Sequence, residues 1–178
     1  MRLLRVSNLI TIDQIIELFH LKPLDDEGGL FAETYRSSDV IFPSELPWRF
    51  PRMEKAFGTA ILYLLTSDDN SFSRLHQLIT DEVFHFYLGD AVEMLLLFPD
   101  GTSDKIILGQ DIIAGEHVQY VVPRDVWQGS QLMEGGQFAL LGTTMVPGFD
   151  PSDYKKSDRE ELVNKFPQEA DLIRRLTR

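Results

Sequence analysis

Between Leu30 and Thr144 the chain runs through nine short segments rich in Val, Ile, Leu, Phe and Tyr, each closed by turn-forming residues. This even spacing most constrains the fold. A half-buried strand turns every second side chain inward, and it stops where Gly, Pro, Asn or Asp bends the backbone. The predicted strands are Leu30–Arg36, Phe57–Thr66, Phe72–Leu78, Val83–Leu88, Val92–Phe98, Lys105–Leu108, His117–Val122, Trp127–Leu132 and Phe138–Thr144. Gly89-Asp90, Pro99-Asp100-Gly101, Ala114-Gly115-Glu116 and Gly135-Gly136 punctuate them. Many short strands at this interval predict an all-β sandwich or barrel. Helical periodicity is confined to the two ends. Thr11 and Gln14 form a capping box ahead of Ile12, Ile15, Ile16 and Phe19, and Ser157 and Glu160 form another ahead of Leu162, Val163 and Phe166. Pro167 then opens a last helical turn carrying Leu172, Ile173 and Leu176. The expected organisation is one domain over residues 1–178, with a core barrel over about 23–149 and a helical tail over about 150–178.

Composition narrows the function. The net charge of -11 argues against nucleic acid and anionic membranes, both of which recruit basic surfaces. The absence of cysteine excludes disulfides, thiolate metal sites and cysteine nucleophiles. The segment MRLLRVSNLITIDQ carries Arg2 and Arg5 but no unbroken apolar run, so it reads as a poor signal peptide. No stretch approaches the roughly 20 apolar residues of a membrane span. A cytoplasmic protein that binds a small molecule is the expectation.

The stretch RLHQLITDEVFHFYLGD, Arg74–Asp90, places titratable groups where Val or Ile would pack better. Two strands around the turn Ile79-Thr80-Asp81 put His76 and Leu78 on one face, and Glu82, Phe84 and Phe86 on the face that meets it. Val83, His85 and Tyr87 face the other way. A bulge would reverse this parity. A strand histidine can be a hydrogen-bonded core residue. A carboxylate among aromatics is costly unless paired or solvated, and pairing of Glu82 with His76 or Arg74 would satisfy it without catalysis. Gly28-Gly29 reads as a turn before a strand, Asp68-Asp69-Asn70 as a solvated hairpin turn, and Trp127 and Trp48 as packing residues. Ser73 and Ser130 lack a nucleophile motif.

The spacing from His76 to Glu82 and Gly89 resembles the first motif of the cupin superfamily, and Gly115-Glu116 through Pro123 to Gln128 resembles the second with a longer Gly-to-Pro interval. The combination EGGLFAETYRS, DEVFHFYLGD, FPDG and YVVPRDVWQG is similar to a narrower family of small, largely uncharacterised cupin-like proteins. The resemblance implies a cupin double-stranded β-helix, a jelly-roll barrel with short terminal helices. It also implies a homodimer, with Leu30–Arg36 or Ile41-Phe42 crossing to the partner.

The cupin metal site uses two histidines and a glutamate from the first motif and a histidine from the second. Here Leu78 and Gln128 stand at two of the histidine positions. Leucine cannot ligate, and a glutamine carbonyl is a weak ligand for transition metals. No cofactor is therefore favoured; a divalent metal, if present, would use His76, Glu82 and Gln128. The resemblance extends in fold to sugar-nucleotide epimerases of the rhamnose pathway, which imply a metal-independent epimerase or isomerase of a sugar-like ligand. In that reading His76 is the general base, Glu82 orients it, and Glu33, Tyr35, Arg36, Arg74, Phe84 and Gln128 surround the ligand. A non-catalytic ligand-binding cupin and a metal-dependent enzyme with a degenerate site are the alternatives.

Overall fold

A computed structural model describes residues 10–178. The signal-peptide reading of the first residues thus falls largely outside the described part. Among the described residues no helix is long and apolar enough to cross a membrane.

Two antiparallel sheets face each other. The larger contains β1 (Lys22–Pro23), β2 (Leu30–Arg36), β5 (Thr59–Thr66), β12 (Phe138–Met145), β7 (Glu82–Gly89) and β10 (Gln119–Val122), side by side in that order. The smaller runs β13 (Tyr154–Lys156), β6 (Ser73–Leu78), β11 (Trp127–Leu132), β8 (Val92–Leu97) and β9 (Ser103–Leu108). A two-stranded ribbon of β3 (Val40–Ile41) and β4 (Lys55–Ala56) stands apart. The all-β jelly roll is the fold expected. All nine sequence-predicted strands are present, with ends displaced by up to two residues. The first stretch of Phe57–Thr66 is interrupted before β5, and β1, β3, β4 and β13 are additional. Those four are short, and two or three residues carry no readable period.

Side-chain alternation sends Tyr63, Leu65, Phe84, Phe86, Met94, Leu96 and Leu141 into the space between the sheets. The run VEMLLL of β8 is nearly all apolar because both its faces are covered. Met94 and Leu96 enter the inter-sheet core, while Leu95 and Leu97 lie under the C-terminal helices. Those helices are α2 (Arg159–Lys165) and α3 (Ala170–Arg175), whose Leu162, Phe166, Leu172, Ile173 and Leu176 also bury Trp127. The α2 cap is Asp158, which accepts from the Glu161 amide, one residue later than the box read from Ser157. A carboxylate accepts as well as a hydroxyl and also meets the positive end of the helix dipole. On the opposite side α1 (Ile12–Phe19), with the expected Thr11–Gln14 capping box, lays Ile12, Ile15, Ile16 and Phe19 on the outer face of the larger sheet against Leu64 and Leu140. Trp48 is a correction to the packing reading: it is 88% exposed.

Candidate functional site

Strand register builds the site. On the inner face of the larger sheet, Arg36, Thr59, Met145 and Glu82 form one row across β2, β5, β12 and β7. The next row is Glu33, Ile61, Thr143 and Phe84. On the facing sheet His76 of β6 pairs with Gln128 of β11. Between these surfaces lies a cavity of about 190 Å3, whose lining includes Glu27, Glu33, Arg36, His76, Glu82 and Thr143 together with Phe31, Ile61, Leu78, Met145 and Phe149.

His76 is 1% exposed. Its Nδ1 lies 2.7 Å from the Arg74 carbonyl. A carbonyl can only accept, so Nδ1 carries the proton and the neutral ring keeps its lone pair on Nε2. The Gln128 amide nitrogen donates to Glu82 Oε2 at 2.6 Å and lies 3.3 Å from His76 Nε2. Both hydrogens of that amide are thereby committed, and Gln128 Oε1 is buried without a partner among the described residues. Burial pushes the Glu82 carboxyl up to about 7, and the charge of Glu27 adds to the lift. Hydrogen bonding from Thr143 and Gln128 pulls the other way, as does His76 whenever it is protonated. Burial wins because no full opposite charge lies close enough to replace lost hydration.

Two residues not singled out from the sequence belong to this cluster. Glu27 Oε1 accepts from Ser73 Oγ at 2.8 Å and lies 4.0 Å from His76 Nε2. Its loop is fastened by the Arg74 amide on the Glu27 carbonyl and by the Tyr63 hydroxyl on the Gly28 carbonyl. Tyr154, on the unforeseen β13, stacks on His76 with ring centroids 5.0 Å apart. Glu27 lay within the stretch EGGLFAETYRS, but a loop residue has no period from which its direction could be read. Tyr154 is visible only once β13 is seen to pair with β6.

Other expected ligand residues are placed differently. A bulge between Glu33 and Tyr35 brings Glu33 and Arg36 to the same face, although they are three residues apart. Arg36 forks onto Glu33 at 2.6 and 3.0 Å and also donates to the Phe149 carbonyl. The same bulge turns Tyr35 outward, where it is 57% exposed. The Arg74 guanidinium lies in solvent over the Phe72 ring, and only the Arg74 carbonyl reaches the site. Phe84 belongs to the inter-sheet core and does not line the cavity. His85 faces outward and is 3.2 Å from Thr144 Oγ1.

The donor set does not fit the metal centre typical of the fold. Leu78 offers no ligand atom, Gln128 turns its N–H groups toward His76 and Glu82, and among the described residues no three His, Asp or Glu side chains converge on a metal position.

The uncharacterised protein YML079W of Saccharomyces cerevisiae is 30% identical over 134 residues, which cover 72% of this chain and 66% of the yeast protein, just under two thirds of its length. The crystal structure of protein SO0799 from Shewanella oneidensis superposes with a TM-score of 0.82 at 28% identity, covering 96% of this chain and 99% of that one. A hypothetical protein from Leishmania major shares the fold at a TM-score of 0.81 and 23% identity, over 94% and 98% of the two chains. The model of one family, the Cupin superfamily (DUF985), matches residues 13–157. With its jelly roll, its inward His76 and Glu82, and a match over most of its length, this chain belongs to that cupin family.

Proposed function

We propose that this protein binds a compact, sugar-like molecule and moves a proton on it without a metal, as an epimerase or isomerase with His76 as general base. The observation that carries the reading is the bond from Nδ1 of His76 to the Arg74 carbonyl, which puts the lone pair of a cavity-lining residue on Nε2, where only the long 3.3 Å contact from the Gln128 amide competes with a ligand for it. An imidazole oriented through its other ring nitrogen is suited to general base work. Glu82, lifted to about 7, can give and take a proton beside it. The cavity, at about 190 Å3, is below the roughly 300–1,000 Å3 of drug-sized pockets. It therefore suits a monosaccharide-sized group.

In the proposed step Nε2 takes the proton from a carbon next to a carbonyl. The C–H electron pair moves into an enediol, and protonated Glu82 gives its proton to the carbonyl oxygen. His76 then returns its proton to the neighbouring carbon while the second oxygen restores the proton of Glu82. Nothing is gained or lost overall. Isomerisation needs only this pair of proton carriers, whereas epimerisation also needs delivery from the opposite face of the ligand, so isomerisation is the branch proposed.

Deuterium uptake from D2O into a panel of aldoses and ketoses, followed by NMR, tests the reading. Wild type should incorporate deuterium, and His76→Ala should lose at least about 100-fold in rate while remaining folded. Added Mn, Fe, Ni or Zn should change neither rate nor melting temperature. Binding without any exchange in wild type would leave a non-catalytic binding protein. The proposed working unit is a homodimer, joined through the part of the larger sheet that α1 leaves uncovered.

A further inference from the structure

The polar end of the cavity offers carboxylates and no unpaired cation among the described residues. Ser73 Oγ is committed to Glu27 and the Gln128 amide to Glu82 and His76. Arg36, the cavity's one arginine, is held by both oxygens of Glu33 and by the Phe149 carbonyl. Against these stands an open anionic acceptor in the lining, the second oxygen of Glu27, while the His76 Nε2 lone pair is met only by the 3.3 Å contact from the Gln128 amide. The remaining donors are neutral: the proton carried by Glu82 and the hydroxyl of Thr59, which accepts from the Phe149 amide. An anion entering here would meet carboxylates and find no free cation, at a steep desolvation cost. A ligand that brings its own positively charged donors meets acceptors already in place. The chain's net charge of -11 attracts a cation toward the mouth.

We propose that the cavity selects ligands carrying a protonated primary amine, with Glu27 as the counter-ion, and rejects phosphorylated or carboxylated analogues. This names the substrate class for the site read above as a proton-transfer centre, and it rests on that reading only in taking this cavity as the ligand site. Among sugar-like molecules the class is the amino sugars. Glu27 is the specificity-determining group because its carboxylate combines partial exposure with an oxygen free of the Ser73 bond. The apolar part of the lining, from Phe31, Ile61, Met145 and Phe149, packs the ligand body.

Calorimetric titration with glucosamine, glucose and glucose 6-phosphate tests the proposal on the full chain. The amine should bind at least tenfold more tightly than glucose, and the phosphate should not bind measurably. Glu27→Gln keeps shape and hydrogen bonding and should abolish the preference while the melting temperature holds. Glu33→Gln, in a folded protein, should unmask Arg36 and admit glucose 6-phosphate, an independent check should Glu27→Gln fold poorly. Equal binding of amine and parent, tighter binding of the phosphate, no detectable amine binding, or a preference that survives Glu27→Gln would overturn the proposal. The deuterium readout separates the two readings. Amine-selective binding without exchange removes the proton-transfer step and keeps the ligand class. Exchange on neutral sugars with no amine preference removes the ligand class and keeps the base.

Discussion

Glu82 is the residue whose physics is most exposed to test. Its carboxyl is lifted from 4.5 to about 7 because burial removes hydration that no close positive charge replaces. In the unfolded chain it titrates near the ordinary value. Below about pH 4.5 both states hold the proton. Between about pH 4.5 and 7 only the native state holds it, so the stability this group contributes is lost as pH rises through that window. The lift corresponds to about 3 kcal/mol at most. Urea unfolding of wild type should therefore show stability falling across the window. Glu82→Gln, which keeps the shape and cannot ionise, should flatten that slope and be the more stable protein at pH 8. An unchanged slope in the variant would mean that another group titrates. The inward direction of His76 and Glu82 was legible in the sequence, because alternation around a short turn fixes parity. Glu27 was not, since it sits in a loop whose course depends on Phe72, Tyr63 and Arg74.

At the scale of elements, the loop from Leu24 to Gly29 decides whether Glu27 reaches the cavity. Gly28 has φ of +97°, and a Cβ there would stand 2.2 Å from the Phe72 carbonyl oxygen. Gly101 has φ of +91° with open space around it. Gly28→Ala should cost at least about 2 kcal/mol and weaken ligand binding, whereas Gly101→Ala should cost about 1 kcal/mol and leave binding intact. Equal costs by denaturant titration would show that conformation, and not the close approach, governs position 28. The bulge in β2 has a comparable effect. Without it Glu33 and Arg36 would face opposite sides, and the paired rim of the cavity would not exist. A register slip is set by the partner strand, so the regular alternation of LFAETYR gave no sign of it. That is why Tyr35 was expected at the ligand and is found on the outer surface.

For the whole molecule, the two sheets are covered on their outer faces to different extents. The smaller is roofed by α2 and α3. The larger is roofed by α1 over Leu64 and Leu140, and beyond that an outer row runs Tyr35, Ala60, Thr144, Val83 and Val121 across five strands. Tyr35 and Val121 in this row are 57% and 50% exposed. This row is where the proposed homodimer closes. Light scattering should report twice the chain mass of 20.4 kDa, and Val121→Lys should return the single mass with the fold intact. A wild-type monomer at tens of micromolar would remove the dimer. Elsewhere the buried pair of Lys55 and Asp153 ties the β3–β4 excursion to the segment before β13. Such a pair is costly to break because either charge alone would be left in a dry interior. Neither residue stood out in the sequence, because a charge is read as exposed until its partner, far along the chain, is brought to it.

The sequence by itself determined the class of fold, the end helices and the inward facing of the histidine and the acid, because those follow from local period and turn chemistry. Only the tertiary structure decided which donors are already spent, that Glu27 and Tyr154 join His76, and that Arg36 is neutralised. Those depend on register, a bulge and a loop held by distant partners, and local pattern carries no record of them.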